Sequence, residues 1–155
     1  MSRFAGGVTI VTAADNSGRP WGFTASAFAA LSVSRPLILV CLARDARCHN
    51  VFMTAELFAV SVLRPRHRDV ALRFASKRDD KFSGFSGAEF EPDEKGLARL
   101  RDALASLPCE IRGRVAGGDH TIIIGHVIGA TAGDGEPAVY FNRRFRALAQ
   151  AGPYT

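Results

Sequence analysis

Two basic clusters have the residue types and spacing to hold an anion. The stretch "ARDARCHN" brings Arg44, Arg47 and Asn50 to the end of an apolar run and the start of a helical pattern. Further on, "RFASKRDDKF" supplies Arg73, Ser76, Lys77 and Lys81. A phosphate or diphosphate asks for cations, hydroxyls and exposed backbone N–H groups, best of all near a helix N-terminus. Each cluster alone also reads as solvated surface charge, and Asp79 and Asp80 partly cancel the second. Together the clusters say more than either does separately.

His120 is the other candidate. It follows Gly117, Gly118 and Asp119 at the start of a strand pattern, where a side chain lies at the mouth of a barrel and ligands bind. A turn histidine without a role is the plain alternative. The histidines do not make a metal centre: His120 and His126 share a strand face but stand roughly 20 Å apart at strand rise, and Cys41, Cys48 and His49 have no ligand spacing. No metal site is expected. The chain has no Gly-x-Ser-x-Gly elbow, Walker loop or GxGxxG, so hydrolase and NTPase chemistry lose support. An enzyme of this kind would lean on a bound cofactor.

The elements that must position these residues are mostly strands. "GGVTIVTAADNSGRPWGFTASAF" reads as a hairpin with its turn at Asp15 to Pro20. Its second strand ends in "TASAF", which carries little bulk for a core strand and leaves room for something flat. "PLILVCLA" is almost continuously apolar, as a strand covered on both faces would be. Val51, Phe52, Ala55 and Leu57 have helical spacing ahead of the alternating "FAVSVL". Val70, Ala71 and Phe74 predict a second helix, with Asp69 near its positive end. "RDDKFSGFSGAEFEPDEKG" reads as a surface loop and "LARLRDALASLP" as a short helix. A strand from Cys109, a Gly-Gly-Asp turn, "HTIIIGHVIGAT", a Gly-Asp-Gly turn and "AVYFN" follow. Six or seven strands with two or three helices predict a mainly β fold, a β-barrel with peripheral helices.

The 155 residues, 47% of them apolar, suffice for one core, so a single domain over 1–155 is expected. No run of about 18 apolar residues and no secretory pattern appears, which predicts a soluble, cytoplasmic protein. Three cysteines without a CxxC pair read as free thiols. The net charge of +5 favours an anionic partner without choosing among nucleic acid, acidic lipid and a phosphorylated small molecule.

Five segments, "GGVTIVTAAD…GRPWGFTASAF…LSVSRPLILVCL", "FAVSVL", "RFASKRDDKF", "GDHTIIIGHV" and "AVYFNRRFRAL", resemble in order the short-chain flavin reductases of two-component monooxygenases. The resemblance extends over nearly the whole chain and is strongest to the reductases of bacterial aromatic polyketide and enediyne biosynthesis. It implies an FMN-binding split barrel of Greek-key type, usually a homodimer with flavin near the subunit interface. It implies reduction of FMN or FAD by NADH or NADPH, with reduced flavin passing to a separate oxygenase. By the same resemblance Thr24, Ala25, Ser26 and Ala27 would lie along the flavin ring. The strand end and loop holding Cys41, Leu42, Ala43, Arg44, Arg47, Cys48 and Asn50 would run past its ribityl chain and phosphate. Arg73, Phe74, Ala75, Ser76, Lys77, Lys81 and Phe82 would close over the phosphate or the adenine end. His120, within Gly118-Asp119-His120, would face the nicotinamide as an orienting group. Tyr140 to Phe145 would line the same pocket, with Arg143 or Arg144 toward the dinucleotide phosphates. Relatives usually carry a longer helix before the Gly6 equivalent, and its trimming would weaken dimer packing.

Two other readings stand beside this one. Related barrels reduce corrinoids or ferric complexes, or hold flavin permanently. A basic barrel with interspersed Phe also suits single-stranded nucleic acid, but Phe58, Phe74 and Phe82 fall on different elements rather than along one face, so neither nucleic acid nor membrane is the expected partner.

Overall fold

The turn that opens the fold is built by one carboxylate. The computed structural model describes residues 2–82 and 89–148. β1 (Gly6–Gly7) precedes a hairpin of β2 (Thr9–Ala14) and β3 (Pro20–Ala25), paired from Thr9↔Ala25 to Ala14↔Pro20. Asp15 accepts hydrogen bonds from the Ser17 hydroxyl, the indole N–H of Trp21 and the backbone N–H groups of Ser17 and Arg19. Those from the Ser17 and Trp21 side chains do most to hold its pKa down at about 2.

β4 (Phe28–Ser32), β5 (Leu37–Ala43), α1 (His49–Thr54), β6 (Leu57–Val62) and α2 (Arg68–Ala75) follow, with a 3₁₀ turn at Pro65–His67 before α2. After them come β7 (Phe90–Pro92), β8 (Ala98–Leu100), β9 (Ala105–Gly117), β10 (His120–Val127), β11 (Thr131–Ala132), β12 (Val139–Phe141) and β13 (Arg144–Arg146). The main sheet is antiparallel, runs β3-β2-β6-β9-β10-β5-β4 with β11 beside β9, and curls into a half-barrel. The non-sequential neighbours β2 and β6, β6 and β9, and β5 and β10 are its crossovers. β1-β12-β13 and β7-β8 form two small sheets.

Alternation along the strands divides the apolar residues between two cores. Val11, Phe23, Val40, Phe58 and Ile123 fill the inside of the curl, where α1 inserts Phe52 edge-on to Phe23 at 5.2 Å between ring centroids. Gly125 is required there, since a Cβ would stand 2.4 Å from Phe58 Cζ. The second core lies behind β2 and β6, where Ile10, Leu63 and Leu100 meet Val70, Ala71 and Phe74 of α2. That end of the sheet is therefore covered on both faces. The β5–β10 end is not: Leu39 and Cys41, and opposite them Ile124 and Ile122, are only half-buried on the outer face.

Several sequence expectations change here. "LARLRDALASLP" forms β8 and the start of β9 rather than a helix. Leu100 reaches the second core from extended backbone, its N–H donates to Ser61 Oγ, and Asp102 takes a positive φ of 58° that breaks any helix. The first helix stops at Thr54, and Leu57 opens β6 instead of continuing it. The loop from Arg78 to Gly96 contains β7, and its residues 83–88 lie outside the described residues. "TASAF" is a corner: β3 ends at Ala25, Ser26 and Ala27 are exposed, and β4 begins at Phe28.

Candidate functional site

The corner between β3 and α2 frames two adjoining clefts. The larger, about 670 Å³ with its open mouth included, is lined on the barrel side by Phe23, Thr24, Cys41, Leu42, Ala43 and Ala46. Its other wall is Phe74, Ala75, Ser76, Lys77 and Lys81, with Asp45, Arg47 and His120 at the rim. The smaller, about 540 Å³, is bounded by Val8, Thr24, Ser26, Ala71, Leu72, Ala75, Tyr140 and Phe145. Thr24 and Ala75 belong to both and make the ridge between them. The ridge is tied across by the Thr24 hydroxyl, which donates to the Ala71 carbonyl at 2.6 Å.

Cations gather where α2 ends. Lys81 Nζ donates to the carbonyls of Phe74 at 2.9 Å and Gly22 at 3.2 Å, joining α2 to β3 beneath the larger cleft. Burial pushes the Lys81 pKa down. Lys77 lies 3.0 Å from Asp45, and Arg47 is ion-paired with Asp79. Asp79 thus cancels a cation of the first cluster rather than of its own, Asp80 pairs with Arg78 within its loop, and Lys77 is cancelled by Asp45 instead. Behind the wall Phe74, Phe82 and Phe90 pack as a trio with ring centroids 4.9 to 5.2 Å apart, Phe82 edge-on to the other two.

His120 reaches the rim because of the turn before it. Gly117 pairs with His120 across a two-residue hairpin turn whose first central residue, Gly118, has φ +66°, a conformation that favours glycine. The Asp119 carbonyl accepts the Arg44 N–H at 2.9 Å, which fixes this turn against the end of β5. The Asp119 carboxylate lies 2.7 Å from His120 Nδ1, and this hydrogen bond lowers the Asp119 pKa. Nε2 is then the ring nitrogen available to a ligand. On the far side of β10, His49 Nε2 meets Thr121 Oγ1 at 2.9 Å and anchors α1.

The structure sorts the predicted site residues. The larger cleft gathers Thr24, Cys41, Leu42, Ala43, Arg47, Phe74, Ala75, Ser76, Lys77, Lys81 and His120. Tyr140 and Ser26 lie in the smaller one, so Tyr140 does not share a cleft with His120 within one chain. Ala25 turns its methyl into the barrel core, and Ala27 is occupied through its carbonyl, which accepts Cys41 N–H. Cys48 is buried at the head of α1 and, with Phe82, borders a separate crevice beside Trp21; burial raises its pKa. Arg44 and Asn50 line neither cleft, and Arg73 is buried in an ion pair with Glu89. Arg143 and Arg144 project from the β12–β13 turn outside both. The sequence reading missed Phe23, Asp45, Ala46 and Leu72, while Phe145, the end of its Tyr140 to Phe145 stretch, lines the smaller cleft. Asp45 could have been found from its place between Arg44 and Arg47.

The donor set fits a flavin. A flat ring needs an apolar slot with small side chains, which Phe23, Leu42, Ala43, Ala46 and Ala75 provide, and a phosphate needs the cations and the hydroxyl that Arg47, Lys77, Lys81 and Ser76 place beside it. Phe58 and Phe74, by contrast, are buried and offer no platform for stacking nucleobases.

The family model for the flavin reductase like domain matches residues 1–149. The chain belongs to this family. Among its fellow members, the actinorhodin polyketide dimerase of Streptomyces coelicolor is 47% identical over 152 residues, spanning 97% of this chain and 84% of that protein. The reductase component of the 4-nitrophenol 4-monooxygenase/4-nitrocatechol 2-monooxygenase of Rhodococcus opacus is 36% identical, over 94% of this chain and 76% of that one. The NADH:FAD oxidoreductase SgcE6 of Streptomyces globisporus, solved in complex with NAD and FAD fragments, superposes with a TM-score of 0.89 at 35% identity, covering 98% of this chain and 90% of that one. Other members are longer, and this chain spans only 39% of one of them. The half-barrel is accordingly of the split-barrel flavin reductase type.

Proposed function

We propose that this flavin reductase family member reduces FMN or FAD with NADH or NADPH and hands reduced flavin to a separate oxygenase. The observation that carries the reading is the larger cleft, where an apolar slot, a cationic end and His120 at the rim meet in one place. A bound flavin would supply the acceptor for a hydride from reduced nicotinamide.

The residues present account for binding and orientation. Small side chains at Ala43, Ala46 and Ala75 leave the slot open, and Phe23 and Leu42 make its wall apolar. Arg47, Lys77 and Lys81 set the phosphate end, so the ring end is directed toward Thr24 and His120. Hydride transfer demands that two rings stack at about 3 to 3.5 Å, and orientation is the main thing a protein adds. His120, its Nδ1 held by Asp119, orients the nicotinamide through Nε2 and need not move a proton. Tyr140 extends the site toward the dinucleotide along the smaller cleft, while Arg143 and Arg144 stand outside it on the β12–β13 turn.

A homodimer is part of the same proposal. Across β4, β5, β10 and β9 the outer face carries the rows Ala29–Leu39–Ile124 and Cys41–Ile122–Val115, with Val115 48% exposed. The next row is Ala43–His120–Gly117, so a second copy seated on this face would complete the cleft rim. Three unpaired cysteines suit the reducing cytoplasm.

The test follows oxidation of NADH and of NADPH with FMN, FAD, riboflavin or no flavin added. Saturable stimulation by a flavin is the expected result. No turnover with any flavin would sink the reading, and turnover with a corrinoid or ferric complex in its place would transfer the fold to another acceptor.

A further inference from the structure

We propose that Asp45 and Asp79 set the affinity of the larger cleft for phosphorylated flavin, each by occupying a cation that the phosphate must win. This rests on the flavin reading above. Asp45 and Arg47 stand on the loop after β5, and Lys77 and Asp79 on the segment after α2. The pairing is crossed, Lys77 with Asp45 at 3.0 Å and Arg47 with Asp79, so two carboxylates and two cations close a neutral set over the cleft edge.

All four side chains are more than half exposed, at 52% and 61% for Arg47 and Asp79 and 74% and 75% for Lys77 and Asp45. Such pairs are weak and screened by salt, so an arriving anion exchanges with the carboxylates readily. Other pairs nearby differ. Arg73 with Glu89 is buried, and Arg78 with Asp80 stays within one loop. Lys81 donates to two carbonyls instead of a carboxylate. A phosphate therefore meets one cation that is held by neutral groups and two that return to their aspartates when it leaves. The aspartates weaken flavin binding, which suits an enzyme that releases its reduced flavin.

The test is equilibrium titration of FMN and riboflavin, followed by quenching of flavin fluorescence, on the whole chain without nicotinamide. The variants are Asp45→Asn, Asp79→Asn, the double variant and, as a control of equal charge change, Asp80→Asn. FMN should bind about threefold tighter in each single variant and about tenfold tighter in the double, with the gain shrinking in high salt. Riboflavin, lacking the phosphate, should bind as before, and so should FMN to Asp80→Asn. Unchanged or weaker FMN binding to the double variant overturns the inference. Equal tightening of riboflavin overturns it by showing a widened mouth, and equal tightening in Asp80→Asn by showing a net-charge effect. Failure of the unaltered chain to bind either flavin overturns the functional reading as well, and is distinct from these.

Discussion

His120 Nδ1 and Asp119 Oδ1 meet at 2.7 Å, consecutive residues that join the β9–β10 turn to the rim of the larger cleft. The carboxylate fixes the ring that the nicotinamide would meet, while the proposed flavin's phosphate end would lie with Arg47, Lys77 and Lys81 at the cleft. His120→Ala should therefore raise KM for reduced nicotinamide or slow hydride transfer about tenfold, the scale of one positioning hydrogen bond, and leave flavin affinity nearly intact. Asp119→Asn should act in the same direction by about threefold. Stopped-flow reduction beside a flavin titration checks both. Lost flavin affinity with a normal reduction rate would count against the assignment.

The β12–β13 turn stores strain at Arg143. Phe141 pairs with Arg144 across two residues, and both Asn142 (φ 49°) and Arg143 (φ 62°) are left-handed. Asn is tolerated in that region, whereas Arg occupies a place where glycine is favoured. Arg143→Gly should raise stability by about 0.5 to 1 kcal/mol in denaturant unfolding. An accompanying rise in KM for reduced nicotinamide would separate the proposed phosphate contact from the turn conformation.

Half-burial of the outer β5–β10 face makes the dimer testable at one residue. Ile122 sits between Cys41 and Val115, at the middle of the apolar rows. Ile122→Asp places a charge where a second copy would have to desolvate it, so sedimentation should report a monomer. The monomer should also lose activity, since the row beside it contains His120. A monomeric unaltered chain, or an Ile122→Asp chain that remains dimeric, would refute the proposed interface.

Local signals carried the strands. Asp15 to Pro20 announced the first turn, period-2 alternation announced β6, and the Gly-Gly-Asp turn put His120 at a rim. The failures share a cause: spacing was read without knowing where the core lay. Leu97, Leu100 and Leu104 recur at helical intervals, yet Leu100 is held extended by Ser61 on β6, a partner 39 residues away. "PLILVCLA" predicted cover on both faces, and one chain covers only one of them. In the site, residue type located the cations but could not show their partners. Arg73 and Arg47 look equivalent in sequence, but helical position turns Arg73 into a buried pair with Glu89 and leaves Arg47 at the cleft. Asp45 was missed because its partner, Lys77, lies 32 positions on.

The 3₁₀ turn leading into α2 makes stability depend on pH near neutrality. His67 is buried, and its Nδ1 accepts the Arg64 N–H at 3.1 Å, which only the neutral imidazole can do. Burial first, then the Arg66 and Arg64 cations, lower its pKa; Asp102 and Glu89 oppose them more weakly. A histidine with a folded pKa below its unfolded value contributes stability that is fully present above the unfolded value, about 6.5, and is lost as pH falls through the folded one. Unfolding free energy should accordingly drop on acidification from pH 7 to below 6.5, before carboxylates titrate. His67→Leu should flatten that slope and cost about 1 kcal/mol at neutral pH, because the Arg64 N–H loses its acceptor. Urea titrations at several pH values measure both, and an equal slope in the two proteins would assign the pH dependence to another group.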